Sequence, residues 1–133
     1  MSDNMKINVA KIFGENVFDD ATMQERLPKK VYTKLHQIIA EGGELDIETA
    51  DVIILVTDVR SGVVATDLDV AQMLLKSSKP IVLCVNKCDT VGDTPLEFYE
   101  FYNLGLGDPI AVSSVHGHGT GDLLDAVMEY LPV

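Results

Sequence analysis

Six consecutive positions, VIILVT at 52–57, are apolar or β-branched, as in a strand buried on both faces. PIVLCVN at 80–86 repeats that pattern, and PIAVSS at 109–114 gives a third run. Between them the period changes. TDLDVAQMLLKSS begins at Thr66 with Asp69 three residues on, close to a capping box. TPLEFYEFYNLG offers Thr94 as cap, Pro95 at the first helical position and Glu97 to close the box. GDLLDAVMEYL sets Leu123, Leu124, Val127, Met128 and Leu131 on one stripe. Strands alternating with helices predict right-handed crossovers and a parallel sheet.

From about residue 12 to 46 the pattern is helical instead. FDDATMQERL offers Asp19 or Asp20 as the cap of a short helix that ends before Pro28. PKKVYTKLHQIIAEGG then puts Val31, Leu35, Ile38 and Ile39 on one face, with Gly42 and Gly43 as its stop. At the start of the chain Ile7 and Val9 alternate like a strand, but Ile12 fits neither period cleanly. The expected fold is α/β: a three-stranded parallel sheet with flanking helices over 50–133, preceded by a helical segment over 1–49.

Composition narrows this picture. A chain of 133 residues, 47% of them apolar, is one compact unit by its length and has enough apolar surface for a core. Its net charge of −11 argues against nucleic-acid and anionic-membrane partners. It leaves room for a nucleotide site, because loops and helix ends bind phosphate locally. No apolar run approaches 18 residues and no signal peptide is visible, so a cytoplasmic location is expected. Cys84 and Cys88 then read as reduced thiols, the first in a buried strand and the second in a loop.

The candidate chemistry sits where the second apolar run ends, in Asn86-Lys87-Cys88-Asp89. A carboxylate at Asp89 can accept two hydrogen bonds from the N1 and N2 donors of guanine, a pair that adenine lacks. The Lys87 stem can cover a ring face, and Asn86 can tie neighbouring loops together. One strand and one helix later comes AVSSVHG, with Ser113 and Ser114 at a strand end and Gly117 in the loop beyond. Both motifs fall at the carboxyl ends of parallel strands, where open α/β sheets hold ligands. His116 and His118 lack the accompanying ligand spacing of a metal site, and they read as a mobile glycine-rich loop. No metal and no catalytic residue is expected.

Residues from about 50 to 129 resemble the second half of a G domain of the EngA (Der) family, bacterial GTPases that act in large-subunit ribosome assembly. The text that carries the resemblance is ADVIILVTDVRSGVVATDLDVAQMLLKSSKPIVLCVNKCD, followed by EFYNLGLGDPIAVSSVHGHGTGDLLDAV. The resemblance implies guanine-contacting roles for Asn86, Lys87, Asp89, Ser113 and Ser114. Family members usually carry Ala at the position of Ser114, where the backbone N–H makes the contact to guanine O6. The phosphate loop, GxxxxGK[ST], is not found in the sequence, nor is an Asp-x-x-Gly switch. Residues 9–52, with MQERLPKKVY at their centre, resemble the N-terminal region of type III glutamine synthetases. That resemblance carries over no catalytic residue. The two meet at Ala50-Asp51-Val52, as in a recombined chain.

The expectation from these features is a truncated G domain that is not an enzyme. No cofactor is expected beyond weak GDP or GTP binding, and the ribosome enters only through the family. One alternative is a GTP-binding protein of the EngA type completed by another chain. A second is a self-associating structural module. In a complete G domain the strand order is 2-3-1-4-5-6. With the first three strands missing or replaced, 52–57 is an exposed edge. KINVA could cover it as an added strand, or the helix at 29–41 by folding across the sheet, or a second chain edge to edge; the homodimer is the expected outcome.

Overall fold

The computed structural model of the chain describes residues 7–42, 45–88 and 95–132. Four strands, all parallel, lie side by side in chain order: β1 (Ala10–Phe13), β2 (Val52–Asp58), β3 (Ile81–Asn86) and β4 (Ile110–Ala111). Helices α1 (Asp20–Arg26) and α2 (Lys29–Ala40) lie between β1 and β2 in the chain, α3 (Ala65–Lys76) follows β2, and α4 (Thr120–Met128) follows β4.

Alternation along β2 builds two cores. Val52, Ile54 and Val56 face one side, where they pack with Met23 of α1, Val31, Leu35 and Ile38 of α2, and Leu123, Leu124 and Val127 of α4. Ile53 and Leu55 face the other, against Ala71 and Leu74 of α3 and Phe98, Phe101 and Leu104. The result is a helix–sheet–helix sandwich with β2 and β3 buried on both faces.

The fold is α/β with a parallel sheet, as the sequence pattern predicts, but the sheet has four strands, not three. The extra strand comes from the segment read as helical. β1 runs in register along β2, from Ala10 opposite Val52 to Phe13 opposite Leu55. This also weighs against the homodimer, because β1 of the same chain already pairs with residues 52–55 of that edge.

What holds β1 there is a local clamp. The Asp51 carboxylate accepts the N–H groups of Asn8 at 2.7 Å and Val9 at 2.8 Å. In return the Val9 carbonyl accepts the N–H of Asp51 at 2.9 Å and of Val52 at 3.1 Å. Val9 sits at φ +66° although it is β-branched, and it is fully buried. Such a backbone costs about 1–3 kcal/mol and persists only where the surroundings fix it. It also breaks the alternation begun at Ile7, which is why no clean period is visible there. Lys79 ties the same corner, donating from Nζ to the carbonyls of Glu48 and Ala50, both at 2.9 Å.

Several local expectations shift. Asp19 is the cap of α1, accepting the Thr22 N–H at 2.7 Å. The box at α3 uses Asp67, whose carboxylate accepts the Val64 N–H, so the helix starts at Ala65 and neither Thr66 nor Asp69 closes it. Leu96–Leu104 is a 3₁₀ helix preceded by Pro95. Its buried residues, Phe98, Phe101 and Leu104, recur every three positions, which matches three residues per turn better than 3.6. Thr94, expected to cap that helix, and Gly43, expected beside Gly42 at the end of α2, lie outside the described residues.

Replacing Asp51 by Ala should leave two partly buried N–H groups without their acceptor and cost about 2–3 kcal/mol. The denaturant midpoint of Asp51→Ala reads this directly. A stability equal to that of the unaltered chain would show that the clamp is not what holds β1.

Candidate functional site

The carboxyl ends of β1, β2 and β3 come together around Lys87, and the crevice over such ends is where open parallel sheets hold ligands. β3 ends at Asn86, whose side chain is buried at 1% exposure. Its Oδ1 accepts the Ser114 N–H at 3.2 Å across the gap left where β4 ends. The loop after β4 is brought to that position by pairing that outlasts the strand, since the Val112 N–H donates to the Val85 carbonyl at 2.9 Å. It is then closed by two bonds between Ser113 and His118, at 2.9 and 3.0 Å. The His116 N–H donates to Ser113 Oγ at 3.4 Å. The glycine-rich loop, expected to be mobile, is here a turn closed by these bonds.

The structure thus brings Asn86, Lys87, Ser113 and Ser114 together. Asp89 lies outside the described residues. Asn86 Nδ2 is buried and has no hydrogen-bond partner among the described residues. An amide donor left in that state costs about 1–3 kcal/mol until an acceptor reaches it.

Lys87 occupies the left-handed region, at φ +67°. Its Nζ lies 3.2 Å from Asp58 Oδ2 and 3.9 Å from Glu15 Oε2, which links the ends of all three strands. Burial works to raise the Asp58 carboxyl, but the Arg60 N–H and the Lys87 ammonium outweigh it and hold the group below its ordinary value of 3.8. Glu15 and Asp58 could not have been placed beside Lys87 from the sequence. They are 43 positions apart, and only the β1–β2–β3 register aligns them.

Gly14 leads from β1 into this crevice at φ +101°. A Cβ there would stand 2.4 Å from the Val56 carbonyl oxygen, so only glycine fits. Inside the sheet, burial pushes the Cys84 thiol up to about 12 and the nearby Cys88 adds to the shift.

A family model described as the elongation factor Tu GTP binding domain matches residues 43–133. The chain belongs to this GTP-binding domain family.

A second family model, glutamine synthetase type III N terminal, matches residues 9–61. Curated relatives of the GTP-binding domain include GTPase Der of Ruminiclostridium cellulolyticum, 62% identical over 89 residues that make up 67% of this chain and 20% of that protein. GTPase Der of Acetivibrio thermocellus is 50% identical over 99 residues, 74% of this chain and 22% of that protein. The chain thus spans about a fifth of the length of these relatives. Among solved structures, Era in complex with MgGDPNP and a segment of 16S ribosomal RNA aligns over 98% of this chain and 58% of its own, with TM-score 0.64 and 17% identity. An Aquifex aeolicus Era variant bound to GDP and aluminium fluoride aligns over 80% of this chain and 37% of its own, at TM-score 0.58 and 22% identity. At those identities the likeness is one of fold.

The expectation that the chain is not an enzyme is corrected by this membership. It was drawn from motifs the sequence lacks, whereas the GTP-binding domain family and relatives named as GTPases point to an enzyme class. No helix among the described residues is long and apolar enough to cross a membrane.

Two outcomes test the electrostatics of the site. Because the folded-state value of Asp58 is lowered, its stabilising contribution is complete above the ordinary carboxylate value and is lost as pH falls through the lower one. Asp58→Asn should therefore flatten part of the loss of stability below about pH 4, read as denaturant midpoints along an acid series. The Cys84 thiol should stay unreactive at neutral pH. In Cys88→Ser, a thiol reagent should label nothing in the native protein and one group on unfolding.

Proposed function

We propose that the chain is the guanine-reading element of a Der-type GTPase. The observation that carries this reading is the 3.2 Å bond from the Ser114 N–H to Asn86 Oδ1, which joins the two base-reading motifs at one crevice. Asp89 accepts the N1 and N2 donors of guanine and so excludes adenine. The Lys87 stem covers one ring face. Guanine O6 competes for the Ser114 N–H. The orphaned Asn86 Nδ2 favours an arriving acceptor, and N7 of the base is one. Ser113, fully buried, holds the turn that presents Ser114.

Hydrolysis of GTP needs cradled phosphates, Mg²⁺ and a positioned water. In this reading those groups belong to another chain or segment that completes the site. Residues 1–49 are then a segment of glutamine synthetase-like descent joined to a half G domain at 50–133. The match of residues 9–61 to that second family supports this division. Engagement of a ribosome falls to surfaces other than this acidic one, since the net charge is −11.

Base contacts alone give weak binding. Guanine has about 11 heavy atoms, and about −0.3 kcal/mol per atom corresponds to roughly −3 kcal/mol, a dissociation constant in the millimolar range or weaker. Titration of the chain with guanosine and adenosine, followed by amide NMR, should show millimolar guanosine binding at Ser114. Adenosine should produce no comparable shift, and Asp89→Ala should abolish the difference. Equal responses to the two nucleosides would refute base reading.

A further inference from the structure

We propose that the crevice, taken by itself, selects unphosphorylated guanine compounds and disfavours their phosphates, the reverse of the usual order for a guanine-nucleotide site. This rests on the base reading proposed above and adds the charge class of the ligand. The residues at the crevice do not fit a polyphosphate. β1 leads into Gly14 and then Glu15, so a carboxylate stands next after the strand. β2 ends in a second carboxylate, Asp58. Lys87 lies between them and is paired with both, at 3.9 Å and 3.2 Å. Arg60 is also committed, with Nε 3.6 Å from Asp58.

Two backbone donors along the same loop are taken as well. Asn16 Oδ1 accepts the Phe18 N–H at 3.1 Å. At the start of α1 the Asp19 carboxylate accepts the Thr22 N–H at 2.7 Å and the Thr22 hydroxyl at 2.9 Å. The Thr22 bonds hold the Asp19 carboxyl below its ordinary value, so it is ionised at neutral pH. Asp20, in the first turn, accepts the Tyr32 hydroxyl at 2.6 Å. The protein's own side chains therefore occupy two of the amide donors that an anion would use, those of Phe18 and Thr22. A phosphate has to displace one of them, or settle beside them in the field of a chain of net charge −11.

Guanosine, GMP, GDP and GTP titrated into the full chain at low salt, read at the Ser114 amide, test this. Affinity should fall about twofold with each added phosphate, and inorganic pyrophosphate should not compete with guanosine. Raising the salt to about 0.5 M should bring the four ligands together, because the screening length shrinks to a few ångströms. Glu15→Lys, at a side chain 64% exposed, should raise the ratio of GTP to guanosine affinity about fivefold or more. Tighter binding of GTP than of guanosine by the unaltered chain, or an affinity order unmoved by salt, would overturn the proposal and leave base reading intact. Failure of guanosine to bind in preference to adenosine would instead remove the base reading, and this inference with it.

Discussion

The architecture depends on one exchange of hydrogen bonds, between Asp51 and the backbone around Val9. Without it β2 would be the edge of a three-stranded sheet with a row of open N–H and C=O groups. With it, a four-residue strand from the start of the chain is held in parallel register, and α1 and α2 are drawn onto the face they share with α4. The energetic logic is an offset. The strained φ at Val9 and the ordering of an N-terminal segment are unfavourable, and they are met by four hydrogen bonds and by complete burial of Val9, Ala10 and Val52. A short parallel strand has little pairing of its own to offer, so its place is set by the residue that begins the next strand.

The position of this clamp is also informative about descent. The two family likenesses, over 9–61 and 43–133, overlap between residues 43 and 61, and Asp51 lies inside the overlap. One carboxylate in the stretch common to both likenesses grips the backbone of Asn8 and Val9 and immediately precedes β2. Within one sheet, residues of the two segments share a continuous core, with Val31 and Leu35 of α2 in the same cluster as Ile54, Leu123 and Leu124. The stretch covered by both likenesses is thus packed into the middle of the sheet, where Val52, Ile53 and Ile54 are fully buried.

At that crevice, recognition and repulsion are built from neighbouring atoms. Asn86 and the Ser114 N–H form a polar pair in a buried setting, where a hydrogen bond discriminates well between bases. Immediately beside them, Lys87 is held by Asp58 and Glu15. A free lysine would be the natural attractor for phosphate. Here its charge is spent within the protein, and the loop that leaves β1 is closed by its own side chains. The same strand ends thus set a buried polar pair beside a closed ion-pair network.

Much was determined by the sequence alone. The doubly buried strands at 52–57 and 80–86 follow from unbroken β-branched runs, and α1, α2 and α4 follow from their caps and stripes. Asn86, Lys87, Asp89 and the two serines stand out in the sequence as candidates, by local spacing and by resemblance, and the structure sets Asn86 beside Ser114 and Lys87 beside Asp58. Tertiary structure decided the rest, and in each instance the cause is a partner distant in sequence. β1 is only ambiguous in the sequence, because the strand-like alternation of Ile7 and Val9 stops where Val9 turns to meet Asp51, 42 positions away. The 3₁₀ helix at Leu96–Leu104 carries strong α-helix signals, yet three side chains spaced by three are pulled into the core on one line. The pairing of Lys87 with Glu15 and Asp58 leaves no trace in local pattern at all. It exists because parallel strands, laid in register, bring their ends to the same point in space.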